Sequence, residues 1–486
     1  MKSQLLLKHG LSAGPWAVGV LLVGALAGGW VALDPLLTHE WLGVIRRAWF
    51  FDSVPYVLSA LVGVATLLLG FLVWHLDRAW HNRSSVGVVM VLISMHLTGV
   101  GRGPFQPVMV VIVFVVGLWL LDRLLNPEAP WALSGFATLV ALFLGCVLLS
   151  TLGRDPGEVF EGVLSTTPKL LLAMALADLL DNQVKVRRAL STFVWVAGVV
   201  ALGGILQVTA YFVWQLEYTL VDPYFRYTDT SYGPFLRASG FARSAGQFAP
   251  PLAAASLIAL YVCASPAGRG RRAALALLSI LTAAAVSLSV ARGSWVALAV
   301  GLGAVPFIAR PSRTLHWIGL GGLVLGATLA TGLLPWAMAS IDRISEAGLV
   351  DRRLLLQAGF AALADHPWNG VGIYNFGPYS PTFERYPVHN SLLQVGSELG
   401  APGLLIFVVL LLWVGLRLAL AMRTVRDPVI KSRLGALLAG YVALLVVIQG
   451  EPMGYSQLVW IYLAVGEAAA RVALSDTASV GERYGT

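Results

Sequence analysis

Residues 352–403 read RRLLLQAGFAALADHPWNGVGIYNFGPYSPTFERYPVHNSLLQVGSELGAPG, a polar, Pro- and Gly-punctuated stretch in a chain that is otherwise mostly apolar helix. Hydrophobic spans run up to it, ending near Leu334, and resume at about Leu404. Lipid cannot satisfy irregular backbone, so an interruption of this length sits outside the bilayer or lines a wet cavity. It carries paired arginines, a His-Asn-Ser run and a lone glutamate at helical spacing. Chemistry is therefore expected there.

The rest of the chain supports a membrane reading. Of 486 residues, 57% are hydrophobic and only 12% charged, and the mean hydropathy is +0.77. That composition fits an all-α, polytopic membrane protein. Cys146 and Cys263 both fall in apolar runs and read as small core residues, not as a disulfide or a metal site. The formal charge of +8 is not gathered into a basic cluster interleaved with aromatics, so no nucleic-acid partner is expected. The first apolar run, 15–33, has no small-residue cleavage site and reads as a retained span.

Further spans are predicted near 54–76, 86–100, 105–121, 131–151, 163–180, 191–215, 246–264, 272–290, 294–309, 315–334, 402–421, 434–449 and 455–472. Several are short for a hydrocarbon core of about 30 Å, so 12 to 14 transmembrane helices are expected. The short loops holding Arg78 and Arg83, Lys185 to Arg188, Arg269 to Arg272, Arg310 and Arg313, and Arg423 to Arg433 alternate consistently with the spans. The positive-inside rule makes them cytoplasmic. Both termini are then cytoplasmic, and 217–245 and 335–401 face the other side. The domain reading is a bundle over 1–334, an outward catalytic segment over 335–401, closing helices over 402–472 and a polar tail without fixed structure over 473–486. Within 336–400, two or three short helices are expected. One is an amphipathic helix over Arg352 to Ala364, ended by Asp365-His366-Pro367; another covers Ser391 to Leu399 and stops at Gly400.

His389 precedes Asn390 and Ser391, which can cap the following helix. A histidine at a helix start beside arginines is favoured in its neutral form, the form a general base needs. A hydrogen-bonded histidine in a structural turn is the alternative, and that is the reading for His366 in its Asp-His-Pro turn. Glu398 either anchors the base or caps local backbone. Arg237 and Arg292 stand at the ends of apolar runs, where an ionisable side chain is a functional hypothesis by default. Arg352 and Arg353 are adjacent on one helix, so only one can share a given site. The outward face is rich in arginine and nearly free of lysine. A guanidinium fork binds phosphate oxygens bidentately and keeps its charge when partly desolvated. No Asp-X-Asp, His-Glu-X-X-His, Cys cluster or P-loop is present, so no metal and no cofactor are expected. Arginine-dominated anion binding beside one histidine at a lipid boundary suits a lipid-linked phosphate or diphosphate.

With those residues in view, the chain resembles the O-antigen ligase family, within the superfamily that also holds the Wzy-type polymerases. The resemblance rests on Arg237-x-x-Gly240-Phe241, on Ser289-Val-Ala-Arg292-Gly293, and on Arg352 and Arg353 ahead of Ala-Asp-His-Pro-Trp-Asn-Gly370-Val-Gly372. His389-Asn390-Ser391 follows, with Glu398, Gly400 and Gly403. It implies an inner-membrane glycosyltransferase that works on the periplasmic face; with arginines in place of a metal and an acceptor hydroxyl attacking from the side opposite the phosphate, transfer is expected to invert the anomeric centre. The donor would be an undecaprenyl-diphosphate-linked O-antigen, and the acceptor a sugar hydroxyl of lipid A-core. Arg237 and Arg292 would bind the diphosphate, and His389 would act as base. Ala242 to Gln247 lacks the Pro-Asn of many relatives, and Arg243 becomes a further candidate phosphate ligand. A polymerase joining two lipid-linked repeat units needs the same chemistry. A transporter would instead need ionisable residues deep in the spans, for which His96 and Asp178 are the candidates.

Overall fold

In lipid a chain must satisfy its own backbone, and the apolar runs of this sequence do so as helices. The computed structural model describes residues 107–125, 134–154, 156–214, 227–230, 233–240, 242, 244–263, 269–308, 342–381 and 387–484. The spans expected before residue 107 and the one near 315–334 lie outside the described residues, and with them the total of 12 to 14.

The described helices are α1 (Pro107–Leu125), α2 (Gly135–Leu149), α3 (Pro156–Leu179), α4 (Gln183–Trp214), α5 (Ala245–Cys263), α6 (Arg269–Leu288) and α7 (Arg292–Ile308). After these come α8 (Asp342–Asp365), α9 (Ser391–Thr424), α10 (Pro428–Val447) and α11 (Gln457–Tyr484). Among the described residues, seven helices are long and apolar enough to cross a membrane: α3 to α6 and α9 to α11. The fold is that of an all-α, multi-pass membrane protein. One short antiparallel hairpin, β1 (Tyr227–Thr230) with β2 (Gly233–Leu236), interrupts the helices.

The core joins both halves of the chain. α5 packs against α6, α10, α7 and α4, while α9 packs on α11 and α2. Phe143 of α2, Phe407 of α9 and Trp460 of α11 are fully buried, with ring centroids 5.0 to 6.1 Å apart. Large apolar side chains such as Trp195, Leu206, Ile280, Leu405, Leu412 and Leu416 point outward. In water such a surface would aggregate; facing acyl chains it is matched.

Three elements depart from expectation. α8 is a single helix of 24 residues that begins ten positions before Arg352, and it ends at Asp365 as expected. α9 does bend where the helix was to stop: Gly400 has φ +74, a left-handed conformation open to glycine, and the chain re-enters helix at once. The residues beyond Ala473 were expected to lack fixed structure, yet α11 runs on to Tyr484. That segment contains no proline, and the Thr477 hydroxyl donates to the Ala473 carbonyl one turn back.

The bundle has two chemically different ends. Arg433 lies within electrostatic reach of Arg187 and Arg271 at one end. At the other end the α6–α7 corner, the β2–α5 link, the start of α9 and the α10–α11 turn come together.

Candidate functional site

The link after β2 lies across the α6–α7 corner. Ala238 N–H donates to the Leu288 carbonyl at 3.0 Å, where α6 has run out of intrahelical partners. Arg237 Nε donates to the Ser289 carbonyl at 3.0 Å, and its Nη2 to the Val290 carbonyl at 3.4 Å. From α4, the Gln207 side-chain carbonyl accepts the Ser239 and Gly240 N–H groups at 3.1 Å each, fixing the link from behind. Val290 has φ +53, a costly conformation for a β-branched residue that strong local bonding sustains. Ser289 is buried, and its hydroxyl oxygen accepts the Ala291 N–H at 3.2 Å. Two residues beyond the strained Val290, Arg292 opens α7. The positive ends of α5 and α7 thus lie at this corner, where they favour an anion.

A second corner brings His389. Asn390 caps α9, its side-chain oxygen accepting the Leu393 N–H at 3.0 Å, while its Nδ2 donates to the Gln449 carbonyl at 3.3 Å. Ser391 N–H donates to the Ile448 carbonyl at 2.8 Å. The Ser391 hydroxyl donates to the Glu451 carbonyl at 2.7 Å and accepts the Met453 N–H at 2.8 Å. The His389 turn and the α10–α11 turn are therefore stitched into one unit, although 60 residues separate Ser391 from Glu451.

Electrostatics connects the two corners. Burial and then the Arg352 guanidinium push the His389 imidazole down from 6.5 to about 4, so it is neutral at neutral pH. Burial also lowers Arg237; Glu451 opposes that shift, and the charges of Arg292 and Arg352 add to it. Burial raises the Glu451 carboxyl, against the pull of Arg352 and Arg237. Its oxygens sit beside Gly246 in the first turn of α5, where an added side-chain carbon would lie 3.0 Å from Oε2. Arg237 is thus coupled to Arg292, Arg352 and Glu451, and Arg352 in turn to His389, which links five separate parts of the chain. Arg352 faces this group from α8, whereas the charge of its neighbour Arg353 is not among those acting on Arg237, His389 or Glu451.

The remaining expected residues lie elsewhere. Glu398 is 1% exposed and accepts the Tyr374 N–H at 2.9 Å. It sits nine residues, or about 13 Å of helix, beyond His389. With it, the Ser397 and Glu398 carbonyls accept Val371 and Gly372 N–H, so Glu398 holds the 370–374 loop against α9. His366 Nε2 lies 3.1 Å from the Tyr379 hydroxyl in the turn after α8. Arg243 lies outside the described residues. Glu451 was not anticipated. The signal available for it was a carboxylate in a short Gln-Gly-Glu-Pro turn between two apolar runs, on the face that carries the arginines.

The family model for O-antigen ligase matches residues 277–408. The match covers that span alone and likens it to the O-antigen ligase superfamily. The matched span contains Arg292, Arg352 and His389; Arg237 and Glu451 lie outside it. A search of curated proteins finds no match to the chain. Within this superfamily the expected substrates are lipid-linked glycans and lipid acceptors, which fits a cationic site at one end of a membrane bundle.

Proposed function

We propose that the protein is an O-antigen ligase of the bacterial inner membrane, with its site on the periplasmic face. It transfers O-antigen from undecaprenyl diphosphate to a sugar hydroxyl of lipid A-core. The observation that carries this reading is a neutral imidazole beside Arg352, with Arg352 and Arg292 both acting on Arg237, at the end of the bundle opposite the basic loops. Arg237, Arg292 and Arg352 hold the diphosphate and stabilise the charge that develops on it. His389 Nε2 or Nδ1 takes the proton of the acceptor hydroxyl. The oxygen then attacks the anomeric carbon from the face opposite the phosphate, and the carbon–oxygen bond to phosphate breaks with its electron pair leaving on the diphosphate. The anomeric centre is inverted, and the imidazolium returns its proton to water. Charge stabilisation by the arginines replaces a divalent cation, so no metal is needed.

Transport is the weaker reading. Asp178, one of the two ionisable residues that a midplane path would use, is engaged by Arg123 and by Trp119 Nε1 at 2.8 Å near the end of α3. The test is transfer by the purified full chain with a defined lipid-diphosphate glycan, a lipid A-core acceptor and a chelator. Ligation that persists in chelator supports the reading. Elongation of the donor glycan in place of transfer to core would replace it with a polymerase. In cells lacking the protein, a ligase leaves lipid-linked polymer unattached, while a polymerase leaves single repeat units.

A further inference from the structure

We propose that Glu451 is the group that lets the site tell the diphosphate donor from the diphosphate product, and that it promotes product release. The proposal rests on the diphosphate reading above and assigns a role to a residue that reading does not use. Its basis is a geometric and charge argument. The Glu451 turn is fixed to the His389 turn through both backbone and side chain of Ser391, so the carboxylate is placed by the same bonds that place the imidazole. Gly246 lets that carboxylate come up against the first turn of α5. From there it acts on Arg237 and Arg352 alike, and it forms no close ion pair among the described residues.

The charge count gives this placement a purpose. In the proposal Glu451 is ionised, a form that Arg352 and Arg237 favour against burial; with His389 neutral, three guanidiniums and one carboxylate then leave two net positive charges. A diphosphate esterified at both ends, as in the donor, has one ionised oxygen on each phosphorus and two negative charges, which the site matches. Transfer breaks the sugar–phosphate bond and leaves its electron pair on the terminal phosphate. The product is esterified at one end only and can carry a third negative charge. Three arginines without Glu451 would hold that product more tightly than the donor. The carboxylate repels the added charge at the moment it appears and shifts the balance toward release. Glu451 thus acts through the arginines as a positioning and selectivity residue, not as a proton carrier.

The experiment uses the full chain in lipid nanodiscs with a prenyl diphosphate as product-like inhibitor. Glu451→Gln is expected to tighten inhibition by prenyl diphosphate about tenfold relative to the donor KM. Single-turnover transfer should not slow, because the carboxylate also opposes the charge that develops as the sugar–phosphate bond breaks. Steady-state turnover should fall, with a burst appearing before it. A carboxylate needed only for folding would slow single-turnover transfer as well and would not tighten inhibition; that pattern overturns the proposal. Gly246→Ala provides a second variant that displaces the carboxylate without removing it, and it should tighten the inhibitor in the same direction to a smaller extent. Arg292→Gln separates the two claims. Donor and prenyl diphosphate binding both unchanged in that variant would remove the diphosphate reading and this proposal with it. Weakened binding there, without tightening in Glu451→Gln, would remove only the role of Glu451.

Discussion

At the scale of the residue, His389 combines two effects that point the same way. Burial and a neighbouring guanidinium each disfavour the imidazolium, and the ring titrates near 4 instead of 6.5. A base must be neutral to accept a proton, so activity is retained above this value and lost as the pH falls through it. The acid limb of kcat/KM, which reports the free enzyme, is expected near 4. Bound diphosphate offsets the Arg352 charge, so the acid limb of kcat should lie higher. Arg352→Gln should move the kcat/KM limb upward, though not fully to 6.5, because burial is the larger cause. A limb unmoved by that change would disconnect Arg352 from His389. His389→Ala should cost about 10² to 10⁴ in turnover while the protein still inserts; transfer at the wild-type rate would exclude it as base. Arg292→Lys should also be severely impaired in donor turnover, since an ammonium cannot reproduce the fork. His389 and Arg352 were legible as ionisable side chains in the polar 352–403 stretch, and Arg292 as one at the end of an apolar run. Glu451 escaped notice because a Gly-Glu-Pro turn between spans looks like an ordinary hairpin, and its arginine neighbours are remote in sequence.

At the scale of the element, the bend in α9 organises the outward segment. Gly400 takes a left-handed conformation, and Ala401 N–H donates to the Pro367 carbonyl at 2.7 Å. A side-chain carbon at Gly400 would lie 2.6 Å from the Trp368 carbonyl carbon, against backbone that cannot swing away. Gly400→Ala is therefore expected to destabilise the protein by about 1–3 kcal/mol through strain and overpacking. Thermal unfolding in detergent measures this, and an unchanged midpoint would mean the bend tolerates a side chain. Asn390→Ala removes an N-cap and a bond to the α10–α11 turn, and a loss of about 1 kcal/mol is expected. Its activity should fall further than stability alone explains, since the cap also places His389. The stop at Gly400 was readable from the residue type. That the chain re-enters helix beyond it was not, because the bonds sustaining the bend come from the 367–374 loop.

At the scale of the whole molecule, the two ends of the bundle carry different chemistry, and the proposed orientation puts the site outside the cytoplasm. Ser380→Cys, in the loop after α8, should react with a membrane-impermeant thiol reagent in intact spheroplasts. Arg188→Cys, at the opposite end, should react only after permeabilisation. The reverse pattern would invert the protein and the proposed function with it. That the chain is a helical membrane protein, where its described spans run and which residues carry charge at their ends can all be read along the chain. Those properties follow from the free energy of placing each side chain and backbone group in lipid, which is set locally along the chain. Folding in three dimensions is what couples Arg237 to Arg292, Arg352 and Glu451, brings Arg352 and not Arg353 to act on His389, and sets Glu398 against a loop. Electrostatic coupling depends on distance through space, and packing of α5, α7, α9 and α10 sets that distance even for Arg237 and Glu451, which are remote in sequence.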